Sequence, residues 1–181
     1  MSQVASRYAK SLIDTAVEKG QLEQVNLDMK MVLVACKKLK DFTLLLKSPL
    51  IKTDKKIKIF REVFKEQINH ITEEFIVLVT KNRRESILED IATEFLTQYK
   101  VKMNIVTATV TSAVKLDTQI LQQIKEILKK AYKAEIELVE KTDQRLIGGF
   151  ILRIGNKEAD LSVLRQLNQL KKNFNQSYLL N

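Results

Sequence analysis

Few side chains in this sequence could do covalent or metal chemistry, and their spacing suits none of it. There is one histidine, His70, and one cysteine, Cys36. A zinc site draws on several nitrogen and sulfur ligands, so no zinc pattern can be assembled from this pair. A lone cysteine also excludes an internal disulfide. Cys36 falls in an apolar helical stripe and reads as a small core residue. Gly148-Gly149 followed by Gly155 lacks the strand, G-x-G-x-x-G and helix order of a dinucleotide loop, and no GK[ST] is present for a phosphate loop. The carboxylate pair Glu73-Glu74 falls at a helix start, where the dipole favours anions and solvent keeps them charged. No nucleophile stands in a recognisable relation to a base. The expectation is a protein that is not an enzyme, with no cofactor and no metal.

Binding is the remaining class, and charge bears on its kind. The 181 residues carry 31 Lys and Arg against 22 Asp and Glu, a net charge of +9. Such an excess can serve nucleic acid, anionic lipid or an acidic protein. Its distribution is even. Residues 1–104 hold 19 basic and 14 acidic groups, leaving 12 and 8 for residues 105–181. Aromatic residues are only 6% and lie on apolar helix faces, which gives a single strand no stacking platform. The densest basic run, Lys81-Asn82-Arg83-Arg84, reads as a helix end whose cations meet the dipole and free carbonyls. A basic helical adaptor for RNA stays open as the alternative reading.

The elements that would carry a binding surface follow from periodicity. Four Gly and one Pro in the whole chain favour helix. Residues 3–19 repeat Ala5, Ala9, Leu12 and Ala16 on one slim stripe, with Ser2 as cap and Gly20 as stop. Residues 21–39 place Leu22, Val25, Met29, Val32, Cys36 and Leu39 on a narrow seam suited to bundle packing. A short helix over 41–47 ends before Pro49. A fourth, capped by Thr53 or Asp54, turns Ile57, Phe60 and Phe64 inward. A fifth starts near Thr72 and stops near Asn82, with Phe75, Leu78 and Val79 on its apolar face and Ile76 beside it. A sixth runs from Glu85 to Lys102 with Leu88, Ile91, Ala92, Phe95 and Tyr99 inward. These predict a six-helix bundle over residues 1–104.

The texture changes after Asn104. Ile105 to Val114 is β-branched and alternates, with Val106, Ala108, Val110 and Val114 on one face. Asp117 then caps a helix lined by Ile120, Ile124, Ile127 and Ala131, with Leu121 and Leu128 beside them. Strands are expected at Glu135–Glu140 and Phe150–Ile154. Asp160 would cap a last helix with Val163, Leu164, Leu167, Leu170 and Phe174 inward. Residues 105–181 are thus predicted to form a small β-α-β-β-α module. The longest apolar run is a few residues, which predicts no membrane span and no signal-peptide core. The chain is expected in the cytosol, or at a membrane only through partners.

Three segments carry a family resemblance. Ala5-Ser6-Arg7-Tyr8-Ala9-Lys10-Ser11-Leu12 is similar to an A-x-x-Y-A-x-A-L opening. Leu78 to Arg84 is similar to an L-x-x-x-N-x-R segment. Leu146 to Asn156 is similar to G-G-x-x-[IL]-[RK]-[VI]-G-D, with Asp160, Ser162 and Leu164 where D-x-S-[VI]-x-x-x-L is expected. Their order along the chain resembles the delta subunits of bacterial F-type ATP synthases, known in mitochondria as the oligomycin-sensitivity-conferring protein. Asn156, Lys157-Glu158-Ala159 and Leu161 depart from that pattern.

The resemblance implies a connector between catalytic head and peripheral stalk, a stator part that resists rotor torque during proton-driven ATP synthesis. It implies a peripheral place at the cytoplasmic face of the inner membrane. The bundle would grip the N-terminal helix of an alpha subunit, and the C-terminal module would hold the C-terminal region of stalk subunit b. The first and fifth helices would form the groove, through Tyr8, Leu12, Phe75, Ile76, Leu78 and Val79, with Asn82 and Arg83 at its end. A fifth helix apolar over so wide an arc has a second face to bury. On the stalk side the motif residues are Gly148, Gly149, Arg153, Gly155, Asp160 and Ser162.

Overall fold

The computed structural model describes residues 3–65, 67–165 and 167–169. The chain divides into two compact units between Lys102 and Met103.

The first unit is helical. Its α-helices are α1 (Gln3–Glu18), α2 (Leu22–Lys38), α3 (Lys40–Lys47), α4 (Thr53–Val63), α5 (His70–Lys81) and α6 (Leu88–Lys102), with a 3₁₀ turn at Glu85–Ile87 before the last. The alanine stripe explains the packing. Ala5, Ala9 and Ala16 are fully buried, so α6 can lie close along α1 and also against α2. Phe95, Met29, Val25, Val32, Leu88 and Ile91 fill the middle with no solvent exposure. Phe42, Phe60 and Phe64 cluster where α3 meets α4, Phe60 and Phe64 with ring centroids 4.6 Å apart.

Helix ends differ from expectation where side chains compete for them. Gly20 sits at φ +65°, and the Gly20 and Gln21 amides donate to Val17 and Ala16 carbonyls, closing α1 in a left-handed stop. The α5 cap is Asn69, three residues before the expected start near Thr72, and its side chain accepts from the Ile71 amide. Lys52, not Thr53 or Asp54, occupies the cap position of α4 and gives it no side-chain bond. Leu39 is half exposed because α2 ends one residue earlier. Ser2 lies outside the described residues.

The second unit holds β1 (Ile105–Ser112), α7 (Thr118–Tyr132), β2 (Glu135–Thr142), β3 (Phe150–Ile154) and β4 (Lys157–Asp160). The sheet order is β2-β1-β3-β4, with β1 parallel to β2 and antiparallel to β3. The parallel pair requires the α7 crossover. Ala108 and Val110 alternate inward from β1 and meet Ile136 of β2 and Ile124 and Leu128 of α7. Asp117 caps α7 as its sequence indicates, accepting from the Gln119 amide.

Four expectations for this unit need correction. β4 is absent from the expected β-α-β-β-α order: Lys157 to Asp160 is polar and forms a mostly exposed edge strand, so no alternation marks it. On α7 the inward edge is Ile124 and Leu128, while Ile120 and Ile127 are exposed, because the sheet covers only one side of a wide apolar arc. Val114 lies beyond the strand end and is exposed. Residues 163–165 and 167–169 are helical, but Val163, Leu164 and Leu167 are exposed, not inward. Leu170 and Phe174 lie outside the described residues.

Candidate functional site

A cavity opens at the surface between α1 and α5, and its lining differs from the residues expected for a groove there. α1 and α5 run antiparallel. At one end Asn69, the α5 cap, donates from Nδ2 to Gln21 Oε1 just past α1 (2.8 Å). At the other end Asn82, past α5, donates to the Tyr8 hydroxyl (3.3 Å). Around the Tyr8–Asn82 end a cavity of about 410 Å³ is lined by Val4, Arg7, Tyr8, Ser11, Phe75, Leu78 and Arg84. The Tyr8 and Phe75 rings meet edge to face with centroids 6.3 Å apart, which fixes the floor. Leu78 is 52% exposed on the wall.

Leu12, Ile76 and Val79 are not groove residues. Their exposures are 2%, 1% and 0%, and they belong to the bundle core. Charge at Leu12 or Val79 would therefore unfold the bundle, against the sequence-based expectation of surface residues. The wide arc of α5 has a simple reason. Ile76 and Val79 face one way into the core, Phe75 at 8% exposure lines the groove from the core's edge, and Leu78 reaches the surface one step round the helix.

Arg83 also departs from expectation. It takes a left-handed conformation, φ 54°, at the α5 terminus. Its amide donates to the Thr80 carbonyl and that of Arg84 to the Val79 carbonyl, the double-bonded helix stop. The reversal leaves Arg83 on the border of a separate cleft of about 590 Å³ near Pro49 and Lys52, and carries Arg84 to the groove. Val4, Arg7, Ser11 and Arg84 were missed by sequence reasoning. The signal for the first of them was present: Val4, Tyr8 and Ser11 follow i, i+4, i+7 beside the alanine stripe.

Two buried charges hold these walls. Asp28 of α2 is fully buried, and its Oδ2 accepts from the Asn69 amide (2.8 Å) and the Thr72 hydroxyl (2.7 Å). A carboxylate thus meets the positive end of α5. Lys56 of α4, also buried, donates to Glu85 Oε1 (2.6 Å) and to the Leu46 carbonyl (3.0 Å). That bond anchors the 3₁₀ turn directly after Arg84.

The glycine-rich motif of the second unit is a joint. Gly149, at φ +75°, is so close to the segment after β4 that an added Cβ would lie 2.4 Å from the Leu161 carbonyl oxygen. Two bonds seal the contact: the Leu161 amide donates to Phe150, and the Val163 amide to Gly148. Gly155, at φ +55°, is the first residue of the two-residue turn between β3 and β4, where a mirror-image turn needs positive φ. Arg153 stands opposite Glu158 across that hairpin and donates to it from Nε (2.9 Å). Asp160 accepts from the Ser162 amide (2.9 Å), and its carboxyl is lowered by hydrogen bonds from Ser162. Ser162, 2% exposed, caps the following helical residues by accepting from the Arg165 amide, the role assigned from sequence to Asp160.

Nothing catalytic accompanies either feature. Among the described residues no group of three His, Cys, Asp or Glu could hold a metal. Burial pushes the Cys36 thiol up to about 11, so it is inert. His70 is exposed and faces Glu74 at 3.2 Å on the surface of α5. No helix among the described residues is long and apolar enough to cross a membrane.

Residues 4–174 match the family model described as ATP synthase delta (OSCP) subunit. The chain is 35% identical over 179 residues to the ATP synthase subunit delta of Cytophaga hutchinsonii, covering 98% of this chain and 97% of that one. To the subunit delta of Prochlorococcus marinus it is 36% identical over 171 residues, 94% of this chain and 95% of the relative. In fold it is similar to a chain of the mitochondrial ATP synthase hexamer of Toxoplasma gondii, with a TM-score of 0.71, 23% identity and 99% of both chains covered. None of these relatives supports the RNA-adaptor alternative.

Proposed function

Because the chain belongs to the ATP synthase delta (OSCP) subunit family, we propose that its groove between α1 and α5 takes the N-terminal helix of an alpha subunit, and that its second unit holds the C-terminal region of stalk subunit b. The chain is a non-catalytic, stator-linking subunit of an F-type ATP synthase. The observation that carries the finer assignment is the groove lining, where Tyr8 and the exposed Leu78 stand beside the buried Phe75 ring.

A helix laid in such a groove gains affinity from a few anchors at i, i+3, i+4 and i+7. Tyr8 and Leu78 offer receptors over the buried Phe75 ring. Torque resistance asks for broad, specific, static interfaces, and two units let each end of the connector have its own. The place of work in this reading is the cytoplasmic face of the inner membrane, reached through the assembled complex.

The test uses the full chain and the N-terminal peptide of the cognate alpha subunit. Leu78→Glu changes an exposed side chain, so stability should shift by no more than about 0.5 kcal/mol. Binding should weaken by about tenfold or more, as for a central anchor. Unchanged binding by a folded Leu78→Glu chain overturns the groove assignment.

A further inference from the structure

We infer that the groove is read electrostatically as well as by shape: its occupant is an amphipathic helix that seats an acidic turn against Arg7 and Arg84, and this fixes the direction in which it lies. The inference rests on the groove assignment above and names the chemistry of the occupant.

Two guanidiniums border the cavity, and its lining includes no carboxylate. Both are exposed, and among the described residues neither Arg7 nor Arg84 has a recorded ion-pair partner. The next surface recess along α1 holds Gln3, Ser6, Arg7 and Lys10, again cationic without an acid. Arg84 is held in place by its amide bond to the Val79 carbonyl and by the anchored turn that follows it. A guanidinium presents a planar fork suited to a carboxylate, so two of them at one site make a specific receptor for acidic side chains.

The opposite end carries exposed acids, with Lys19 and His70 near them. Antiparallel packing brings the end of α1 to the start of α5. There Glu18, on the line of Val4, Ser11 and Thr15, and Glu74, one turn before Leu78, are both exposed. A bound helix with acidic residues at that end would meet like charge. One orientation of the occupant pairs its acidic turn with Arg7 and Arg84, and the reverse loses those pairs and adds repulsion.

Titration calorimetry of the full chain would use two probes: the N-terminal peptide of the cognate alpha subunit, and the same peptide with every Asp and Glu replaced by Asn and Gln. The parent peptide should bind on the order of tenfold tighter. The double variant Arg7→Ala, Arg84→Ala should bind both peptides alike, at the affinity the natural chain shows for the amide peptide. A nitroxide on the acidic end of the parent peptide should broaden the NMR signals of Val4 and Arg84, leaving Thr15 and Glu74 sharp. Equal affinity of the natural chain for the two peptides, a preference that survives in the double variant, or broadening at Thr15 and Glu74 would each overturn the inference. A parent peptide with no carboxylate beside its apolar stripe would do the same. Failure of the groove assignment looks different, because Leu78→Glu would then leave parent-peptide binding intact.

Discussion

The two units solve the problem of a connector in opposite ways. The helical unit buries a deep core, with Phe95, Leu12, Met29, Ile76 and Leu88 at 2% exposure or less, although Leu27, Val34, Leu44 and Leu78 stay exposed on its surface. The sheet unit has a thin core of Ala108, Val110, Ile124, Leu128 and Ile136. It leaves Ile120, Ile127, Ile147, Leu161 and Leu167 in contact with solvent. A closed core lets a surface residue be changed for binding alone. A thin core beside exposed apolar side chains means that folding and partner contact are harder to separate.

The sharpest way to break that contrast is to strike each core. Val79→Glu places an uncompensated charge in a site with no solvent exposure and should destabilise the helical unit by about 4 kcal/mol or more. Thermal melting of the variant would show the loss of its cooperative helical transition. A stable Val79→Glu chain would return Val79 to the groove. In the sheet unit Gly149→Ala is the matching blow. It strains a left-handed backbone and drives a Cβ into the Leu161 carbonyl, for a cost of about 2 kcal/mol or more. Hydrogen exchange should report it as faster opening of β3 and residues 161–163, with the α1–α6 amides unchanged.

A gentler probe is alkaline pH, which reaches Tyr99 in the helical unit. Burial raises the Tyr99 hydroxyl to about 12, and its donation to Glu23 Oε1 (2.8 Å) adds to the effect. A group whose folded pKa is raised gives stability that is complete below its unfolded pKa near 10 and is lost as pH rises toward 12. Denaturant melts should therefore weaken between those values, and Tyr99→Phe should flatten that limb. An alkaline limb that is unchanged in Tyr99→Phe would assign the loss to another group.

How much of this was legible follows the same division. The inward residues of α6 are all buried as their spacing dictates, because a helix packed on two neighbours writes a clear 3.6-residue period. The β1, β2 and β3 strands were legible from β-branched alternation, while β4 has polar residues and no buried face to impose a pattern. The groove was half legible. Tyr8, Phe75 and Leu78 stand out as surplus apolar residues, but periodicity cannot tell which edge of a wide arc faces the core, so Leu12, Ile76 and Val79 read as groove residues too. The exchange of Arg83 for Arg84 depends on one left-handed backbone angle at a non-glycine residue, which composition does not reveal.

The central claim is that head and stalk are held by different units. It is tested most directly by truncating the chain after Asn104 and measuring two bindings side by side. The account predicts that the fragment melts cooperatively, binds the alpha-subunit N-terminal peptide as the full chain does, and has no affinity for subunit b. A fragment that folds and still binds subunit b undiminished would contradict it.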